Sequence, residues 1–206
     1  MEVDVVLIQL GAAVFAVTGV LAAARQNMDV LSFVIVGVVT AVGGGTLRDL
    51  MLDEPLFWLE DATYLYVAAI AAVATFFFEQ RFRATLRAFL YLDAIATALF
   101  TVLAIEKTLR LGLAPGIAVL MGVITGIGGG IIRDVLTGQP TLLMRRELYM
   151  TPILLGGTLY VVLYLGAWLD APFTEWLAIL FMTAVRLGAI RFGWSFPDWL
   201  TYRPLK

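Results

Sequence analysis

The sequence predicts an all-α polytopic membrane protein with seven transmembrane helices, built as two inverted three-helix repeats plus one extra helix. Three observations support this: an excess of apolar residues, their grouping into runs long enough to cross a bilayer, and a duplicated glycine motif. Of the 206 residues, 61% are hydrophobic and 15% are charged, whereas a soluble domain is nearer half apolar and a quarter charged. Residues 1–206 are expected to form a single membrane domain.

The spans are predicted from apolar runs of about 17 to 25 residues. The first run ends at Arg25, the third at Glu79 and the fourth at Glu106, each beginning a polar cluster. The predicted spans are about Val5–Ala24, Val30–Leu52, Ala62–Phe78, Ala88–Ile105, Pro115–Leu136, Tyr149–Trp168 and Phe173–Ile190. They divide into a first repeat of about 5–80, a second of about 88–168 and a seventh helix of about 173–190.

The positive charges predict the orientation of these spans. With the N-terminus outside, eleven of the 14 Lys and Arg residues fall on the inner side and three on the outer side. Because Lys and Arg accumulate on the cytoplasmic side of a membrane, the N-terminus is predicted outside and the C-terminus in the cytoplasm. In a prokaryote the membrane would be the cell (inner) membrane.

The residue types present exclude several functional classes. The chain has no histidine, no cysteine and only two serines, Ser32 and Ser195, so the usual nucleophile–base pairs of enzymes cannot be assembled. A pI near 5.1 gives no basic surface for nucleic acid. We therefore expect no enzyme activity, no nucleic acid partner, no cofactor and no resident metal; membrane lipid, including bound lipid, is the expected surrounding.

A short glycine-rich motif occurs twice in the chain. Residues 43–49 are Gly-Gly-Gly-Thr-Leu-Arg-Asp, and residues 128–134 are Gly-Gly-Gly-Ile-Ile-Arg-Asp. When Gly43 is aligned with Gly128, nine of the 21 positions from Ile35 to Pro55 are identical, without a gap; positions paired by this alignment are called equivalent. Because each repeat holds three spans, the second copy must enter the membrane from the opposite side, which is the inverted-repeat plan.

The glycine triplets are predicted to kink or interrupt the second and fifth spans. They are Gly43, Gly44 and Gly45 in the second span and Gly128, Gly129 and Gly130 in the fifth. Each glycine weakens a helix by about 1 kcal/mol relative to alanine. Carbonyls freed near the middle of the bilayer require protein or water beside them, and they suit cations. The alternative is close packing, because glycines let helix backbones approach each other.

The two arginines of the motif are predicted to lie about one turn beyond the glycines. There they would border a water-filled pathway for ions through the membrane. Arg48 falls near the outer face and Arg133 near the inner face. An arginine within the membrane needs protein, water or a partner around it, and Asp93 in the fourth span is the predicted partner of Arg133. The first repeat has Ile8 at the matching position, so Asp4 is the candidate partner of Arg48.

The aspartates of the motif are predicted to pair outside it. Asp49 and Asp134 follow their arginines directly, and successive side chains on a helix diverge by about 100°. Thr40 and Thr125 precede the glycines, where their hydroxyls either bond to their own helix or line the pathway.

Charges outside the motif are expected at the membrane surfaces. Glu106, Lys107 and Arg110 are expected to form a solvated outer face. Arg186 in the last span is expected to extend toward the inner surface.

The doubled glycine–arginine–aspartate segments, Asp93 in the fourth span and the seven spans resemble the bacterial and archaeal branch of the trimeric intracellular cation channels, over about Val5 to Ile190. Relatives of this branch are also labelled putative glycine transporters. The resemblance implies a homotrimer with one pore per subunit, surrounded by kinked second and fifth spans and permeable to monovalent cations, chiefly potassium. It also implies that the glycine triplets, Arg48 and Arg133 are pore elements.

The leading functional prediction is therefore a potassium-permeable channel, with potassium or sodium as transient ligands. The alternative is a secondary transporter of a small solute such as glycine, because inverted repeats with broken helices are typical of transporters. In that case new helix N-termini at Thr46 and Ile131 would hold a carboxylate. A structural membrane protein without conduction is a third possibility.

Overall fold

The computed structural model describes residues 2–24, 26, 28–82, 86–145, 147–167 and 170–197, and it describes their side chains except for 2–5, 80–82 and 171. Apart from one isolated β-bridge, the regular secondary structure of the described residues is helical. Its helices are α1 (Glu2–Ala23), α2 (Val30–Met51), α3 (Phe57–Glu60), α4 (Thr63–Phe82), α5 (Leu86–Arg110), α6 (Pro115–Leu136), α7 (Met150–Gly166) and α8 (Ala171–Phe192), with a 3₁₀ turn at Leu142–Met144.

Five of these helices, α1, α2, α5, α6 and α8, are long and apolar enough to cross a membrane, judged over the described residues. The other two apolar helices are shorter, at Thr63–Glu79 within α4 and Met150–Gly166. All seven predicted spans correspond to a helix. The short α3 was not predicted, and α5 continues to Arg110, past the end predicted for the fourth span at Ile105.

Polar and special residues at the helix ends explain where the helices begin and stop. Asp29 caps α2, because its Oδ1 accepts a hydrogen bond of 2.8 Å from the backbone N–H of Ser32. That bond, made to an exposed carboxylate, holds the pKa of Asp29 below its usual value. Pro115 opens α6, where its missing N–H has no cost. Gly193 ends α8 in a left-handed conformation, with φ of 69°.

The predicted interruption of the second and fifth spans is wrong. These spans are α2 and α6, and both helices are continuous through their glycine triplets. The cost of glycine in a helix is offset here by packing, because α2 and α6 cross each other at the triplets. A bend of the helix axis at the glycines, without loss of the helix, stays a prediction.

Equivalent helices of the two repeats pack in the same way. Helix α1 packs on α2 and α4, and its equivalent α5 packs on α6 and α7. Residues at equivalent positions also meet each other: the ring of Phe15 stacks on that of its equivalent Phe100, with centroids 5.2 Å apart. A residue contacts its own equivalent only near a two-fold axis, so this stack marks where the predicted axis would pass.

Candidate functional site

The centre of the molecule is a crossing of backbone against backbone, with the central glycine of each triplet facing the other helix. A Cβ atom added at Gly44 would overlap the carbonyl oxygen of Thr125, and one added at Gly129 would overlap the carbonyl oxygen of Thr40. The contacts are reciprocal between residues at equivalent positions. The central glycines therefore serve close packing, which was the alternative weighed for them.

The first and third glycines of each triplet contact different groups. A Cβ at Gly43 would lie 2.7 Å from Ile132 Cδ1, and one at Gly45 would lie 2.5 Å from the ring of Phe57. In α6, a Cβ at Gly128 would lie 3.2 Å from Leu47 Cδ1, and one at Gly130 would lie 3.4 Å from Arg133 Nη2, 3.4 Å from Tyr149 Oη and 3.6 Å from Asp93 Oδ1. Gly130 thus leaves room for the charged cluster on one side of the crossing, which is called the inner side after the predicted orientation, and the opposite side is called outer.

Arg133 is the centre of that inner cluster and is fully buried. Its Nη1 lies 2.7 Å from Asp93 Oδ1 and donates to Thr18 Oγ1 at 3.1 Å. Its Nε donates to Asp134 Oδ1 at 2.8 Å, and its guanidinium stacks 4.6 Å from the centroid of the Phe89 ring. The pairing of Arg133 with Asp93 is the one predicted from the sequence. A buried arginine held by two carboxylates is compensated in charge and fixed in position.

Arg48 occupies the equivalent position on the outer side, with fewer partners among the described side chains. Its Nε and Nη2 lie 2.8 Å from Asp49 Oδ1, and its guanidinium carbon lies 5.8 Å from the centroid of the Phe57 ring. Lys107 Nζ lies 2.9 Å from the same Asp49 oxygen and 3.9 Å from Glu54 Oε2. One buried carboxylate therefore holds two cations here, whereas two carboxylates hold one cation on the inner side.

Both aspartates of the motif pair with their own arginine, so the prediction that the two residues do not meet is wrong, although Asp49 also has the expected partner outside the motif, Lys107. Successive side chains on a helix diverge at their Cβ atoms, but the arginine side chain is long enough to bend back and reach the carboxylate of the next residue. Each aspartate also fixes the turn after its helix: Asp49 Oδ2 accepts from the N–H of Phe57 at 3.0 Å, and Asp134 Oδ2 from that of Leu142 at 3.1 Å. Donor and acceptor are at equivalent positions in the two bonds.

The turns after the two motifs repeat in backbone detail. Asp53 has φ of 54° and its equivalent Gly138 has φ of 62°. The N–H of Glu54 donates to the carbonyl of Asp49 at 2.9 Å, and that of Gln139 donates to the carbonyl of Asp134 at 2.8 Å. The duplication therefore extends from the sequence to the local structure, and the aspartates have a structural role in both copies.

The two halves differ where the partners of the arginines come from α1 and α5. On the inner side these partners are Asp93 and Thr18. The equivalent positions on the outer side are Ile8 and Leu103, which are apolar, and both line a cavity of about 190 Å³ beside Arg48. The outer arginine thus faces an open space where the inner arginine is locked by hydrogen bonds.

This outer cavity is lined by both apolar and charged side chains. It is lined by Ile8, Arg48, Phe57, Phe100, Leu103, Glu106, Lys107 and Arg110. Glu106 is buried and forms an ion pair with Arg110, so the prediction of a solvated face is wrong for Glu106, whereas Arg110 is exposed and Lys107 is partly exposed. These three residues form the last turns of α5, which ends at Arg110, and all three border the cavity.

The remaining predicted residues are placed as follows. The hydroxyls of Thr40 and Thr125 donate to the carbonyls of Val36 at 2.6 Å and Met121 at 2.7 Å in their own helices. Asp4, the candidate partner of Arg48, has a side chain outside the described residues. Whether the glycines, threonines and arginines line an ion path stays a prediction.

Several residues of the clusters were not predicted from the sequence. Thr18 and Phe89 contact Arg133 from α1 and α5, and nothing in their local sequence indicates this. Phe57 and Leu142 could have been found as a pair, because they lie at the same distance after the two motifs. Lys107 was recognised as a charge but was not connected with Asp49.

Comparisons with known proteins agree with this architecture. A family profile described as "Glycine transporter" matches twice, over residues 5–80 and 90–165. The chain is 39% identical to the inner membrane protein YadS of Escherichia coli over 190 residues, or 91% of this chain and 92% of that protein. A membrane protein of Vibrio cholerae is 40% identical over 190 residues, covering 91% of this chain and 79% of the relative.

The fold also matches solved structures. A trimeric intracellular cation channel orthologue from Rhodobacter sphaeroides is 38% identical with a TM-score of 0.89, over 94% of this chain and all of that one. A channel of the same name from C. elegans, at 15% identity and a TM-score of 0.63 over 90% of both chains, shares the fold.

Proposed function

This chain belongs to the trimeric intracellular cation channel family, in the prokaryotic group whose profile is described as a glycine transporter, and we propose that it is a passive monovalent cation channel, chiefly for potassium. It is an integral, multi-pass membrane protein. Because its solved relatives are channels, it is not an enzyme. The observation that carries the proposal is the contrast between two equivalent arginines, one facing a cavity and one locked between carboxylates.

The proposed path runs beside the crossing of α2 and α6. It begins in the outer cavity at Arg48, passes the glycine crossing and ends at the Arg133 cluster. In the present conformation the inner end is closed, because Arg133 and Asp93 fill it with buried, paired side chains. Opening requires the guanidinium of Arg133 to move away from Asp93, which would leave two carboxylates beside the path and favour a cation there.

Charge compensation makes the arginines compatible with cation flow. An unpaired arginine in a narrow path would repel cations, but Arg48 and Arg133 both contact carboxylates within 2.8 Å. Since α2 and α6 are unbroken, permeation cannot depend on carbonyls freed by a helix break. The glycines instead supply a crossing at which the helices can separate without moving side chains out of the way.

We propose the finer architecture on the same basis. The two profile matches begin at equivalent positions, 5 and 90, which supports an inverted repeat of six spans followed by a seventh. The homotrimer, with one path per subunit, follows from the relatives named as trimeric channels. The N-terminus outside, the cytoplasmic C-terminus, the absence of a cofactor and the presence of bound lipid stay predictions.

The alternative function is transport of glycine, which the family profile names. Its structural argument required new helix N-termini at Thr46 and Ile131. Both residues lie within continuous helices, so neither position offers free N–H groups for a carboxylate. This observation favours the channel over the transporter.

Recording from the purified protein in planar bilayers tests the proposal. Under a potassium gradient with an impermeant anion, we expect discrete unitary currents that reverse near the potassium equilibrium potential. Proteoliposomes without unitary currents that nevertheless exchange labelled glycine in a saturable manner would show that the transporter is correct. Liposomes silent in both assays would contradict both functions.

Replacing Lys107 by methionine tests the outer cavity as the entrance. Lys107 is partly exposed and Asp49 keeps Arg48 as a partner, so the change makes the cavity more negative without leaving a bare buried charge. We expect the unitary conductance for potassium to rise about twofold in dilute salt and to return to the wild-type value near 1 M salt, where charges are screened. Arg191→Met, at an exposed position on α8, is the control and should change neither value.

A further inference from the structure

Helix α8 lies outside the repeat, yet it is tied to the inner charged cluster through one side chain. Arg186 is 4% exposed and its Nη1 donates to the carbonyl oxygen of Leu148 at 2.8 Å. Its guanidinium carbon lies 4.9 Å from the centroid of the Tyr149 ring. The guanidinium of Arg186 is therefore buried against the segment that leads into α7 and is not exposed at the membrane surface, while its predicted inward direction stays a prediction.

The segment after α8 holds the same stretch of chain from a second side. Glu147 and Ser195 form an isolated antiparallel bridge, and the N–H of Leu148 donates to the carbonyl of Trp194 at 3.2 Å. Residues 147–149 are therefore held by Arg186 and by residues 194–195. We call this set of contacts the α8 clamp.

The clamp places Tyr149 against the residues that close the inner end of the path. The Tyr149 side chain is buried, and its Oη is the group that a Cβ on Gly130 would approach at 3.4 Å, next to Arg133 and Asp93. A void of about 10 Å³, lined in part by Thr97, Tyr149 and Arg186, is about the size of one water molecule. Movement of Tyr149 would enlarge this void beside the Arg133–Asp93 pair.

The closed arrangement brings several buried polar atoms together around Tyr149. Among the described side chains, the buried atoms without a hydrogen-bond partner include Asp93 Oδ2, Thr97 Oγ1, Arg133 Nη2 and Arg186 Nε. An unpaired buried polar atom favours any state in which it gains a partner or water. Thr97 and Arg186 line the void beside Tyr149, so water admitted there would give these atoms partners.

We propose that Arg186 and Tyr149 are positioning residues for the channel: the α8 clamp presses Tyr149 onto the Arg133–Asp93 pair, and release of the clamp admits water to the inner end and opens the path. This inference rests on the proposed function. It gives the helix outside the repeat a role on the inner side alone, because Tyr64, the equivalent of Tyr149, packs on Phe57 instead, with ring centroids 5.3 Å apart.

The first test removes the clamp. Arg186→Met keeps a long apolar side chain but loses the bond to Leu148, and a charge-assisted hydrogen bond corresponds to about tenfold in an equilibrium. We expect the open probability in bilayers to rise about tenfold with the unitary conductance unchanged, because the path itself is not altered. Arg191→Met on the same helix is the matched control and should behave as the wild type.

The second test strengthens the clamp and covers the case in which Arg186→Met fails to fold. The chain has no cysteine, and facing residues of an antiparallel bridge are close enough for a disulfide. In Glu147→Cys/Ser195→Cys, oxidation should lower the open probability about tenfold and reduction should restore it. Each single cysteine variant should be insensitive to oxidation.

The third test needs no current and separates this inference from the proposed function. Thr97→Cys places a thiol at the buried void, and a small neutral maleimide should label it about tenfold faster when Arg186→Met is also present. Adding Arg191→Met instead should not change the rate. Unchanged labelling in the Arg186→Met background, or an oxidised clamp that gates like the reduced one, would overturn the clamp. If the wild type carries no current but Thr97→Cys is still labelled faster with Arg186→Met, the channel function would be wrong and the α8 clamp would stand.

Discussion

Replacing Gly129 by alanine should destabilise the folded protein by about 1–3 kcal/mol, the cost typical of overpacking, although alanine is the better helix former. The new methyl group would overlap the carbonyl oxygen of Thr40, and a backbone atom of a continuous helix cannot turn aside as a side chain can. Helices α2 and α6 must then separate along their crossing. The measurement is the free energy of unfolding by SDS titration in mixed micelles, followed by circular dichroism.

Gly116→Ala is the matched control on the same helix. A Cβ at Gly116 meets no atom within 4 Å, so this change brings only the helix preference of alanine, and stability should be unchanged or rise by up to about 1 kcal/mol. Gly44→Ala, the equivalent change in α2, should cost as much as Gly129→Ala because it meets the carbonyl of Thr125. If Gly129→Ala were as stable as Gly116→Ala, the crossing would not be the tight contact described here.

The comparison of Gly129 with Gly116 also shows why the helix interruption was predicted wrongly. Helix propensity treats all glycines alike, and three in succession predict a weak helix. The structure shows that the central glycines are required by a second helix, whose identity depends on how α2 and α6 cross. A pattern within one span contains no information about that crossing, so propensity and packing could not be separated from the sequence.

The duplication made the rest of the site more predictable than a single motif would have. It placed Arg48 and Arg133 in the last turns of equivalent helices, and the difference between Ile8 and Asp93 indicated that Arg48 needs a different partner from the one that Arg133 has. The cavity found beside Ile8 follows the same asymmetry. By contrast, Arg186 belongs to the unduplicated helix, so no second copy was available to show that its position matters.

Arg133 should be the most sensitive charged residue of the molecule. Its replacement by methionine leaves Asp93 and Asp134 buried without their cation, and removing one member of a buried ion pair costs about 3–5 kcal/mol. Asp93→Asn should cost less, because Arg133 keeps the bond to Asp134 and can donate to the asparagine oxygen. The same SDS titration measures both changes, and Arg191→Met, exposed on α8, is the control expected to lie within about 0.5 kcal/mol of the wild type.

The double variant Arg133→Met/Asp93→Asn distinguishes a specific pair from general loss of packing. In the double variant Asp93 is neutral, so the loss of the Arg133 guanidinium leaves one buried carboxylate unpaired instead of two. The double variant should therefore be more stable than Arg133→Met alone by about 1–3 kcal/mol. In bilayers the double variant should conduct with a higher open probability than the wild type, because the paired charges that close the inner end are both removed. Additive losses in stability would show that Arg133 and Asp93 act independently, and a closed double variant would show that the path is sealed elsewhere.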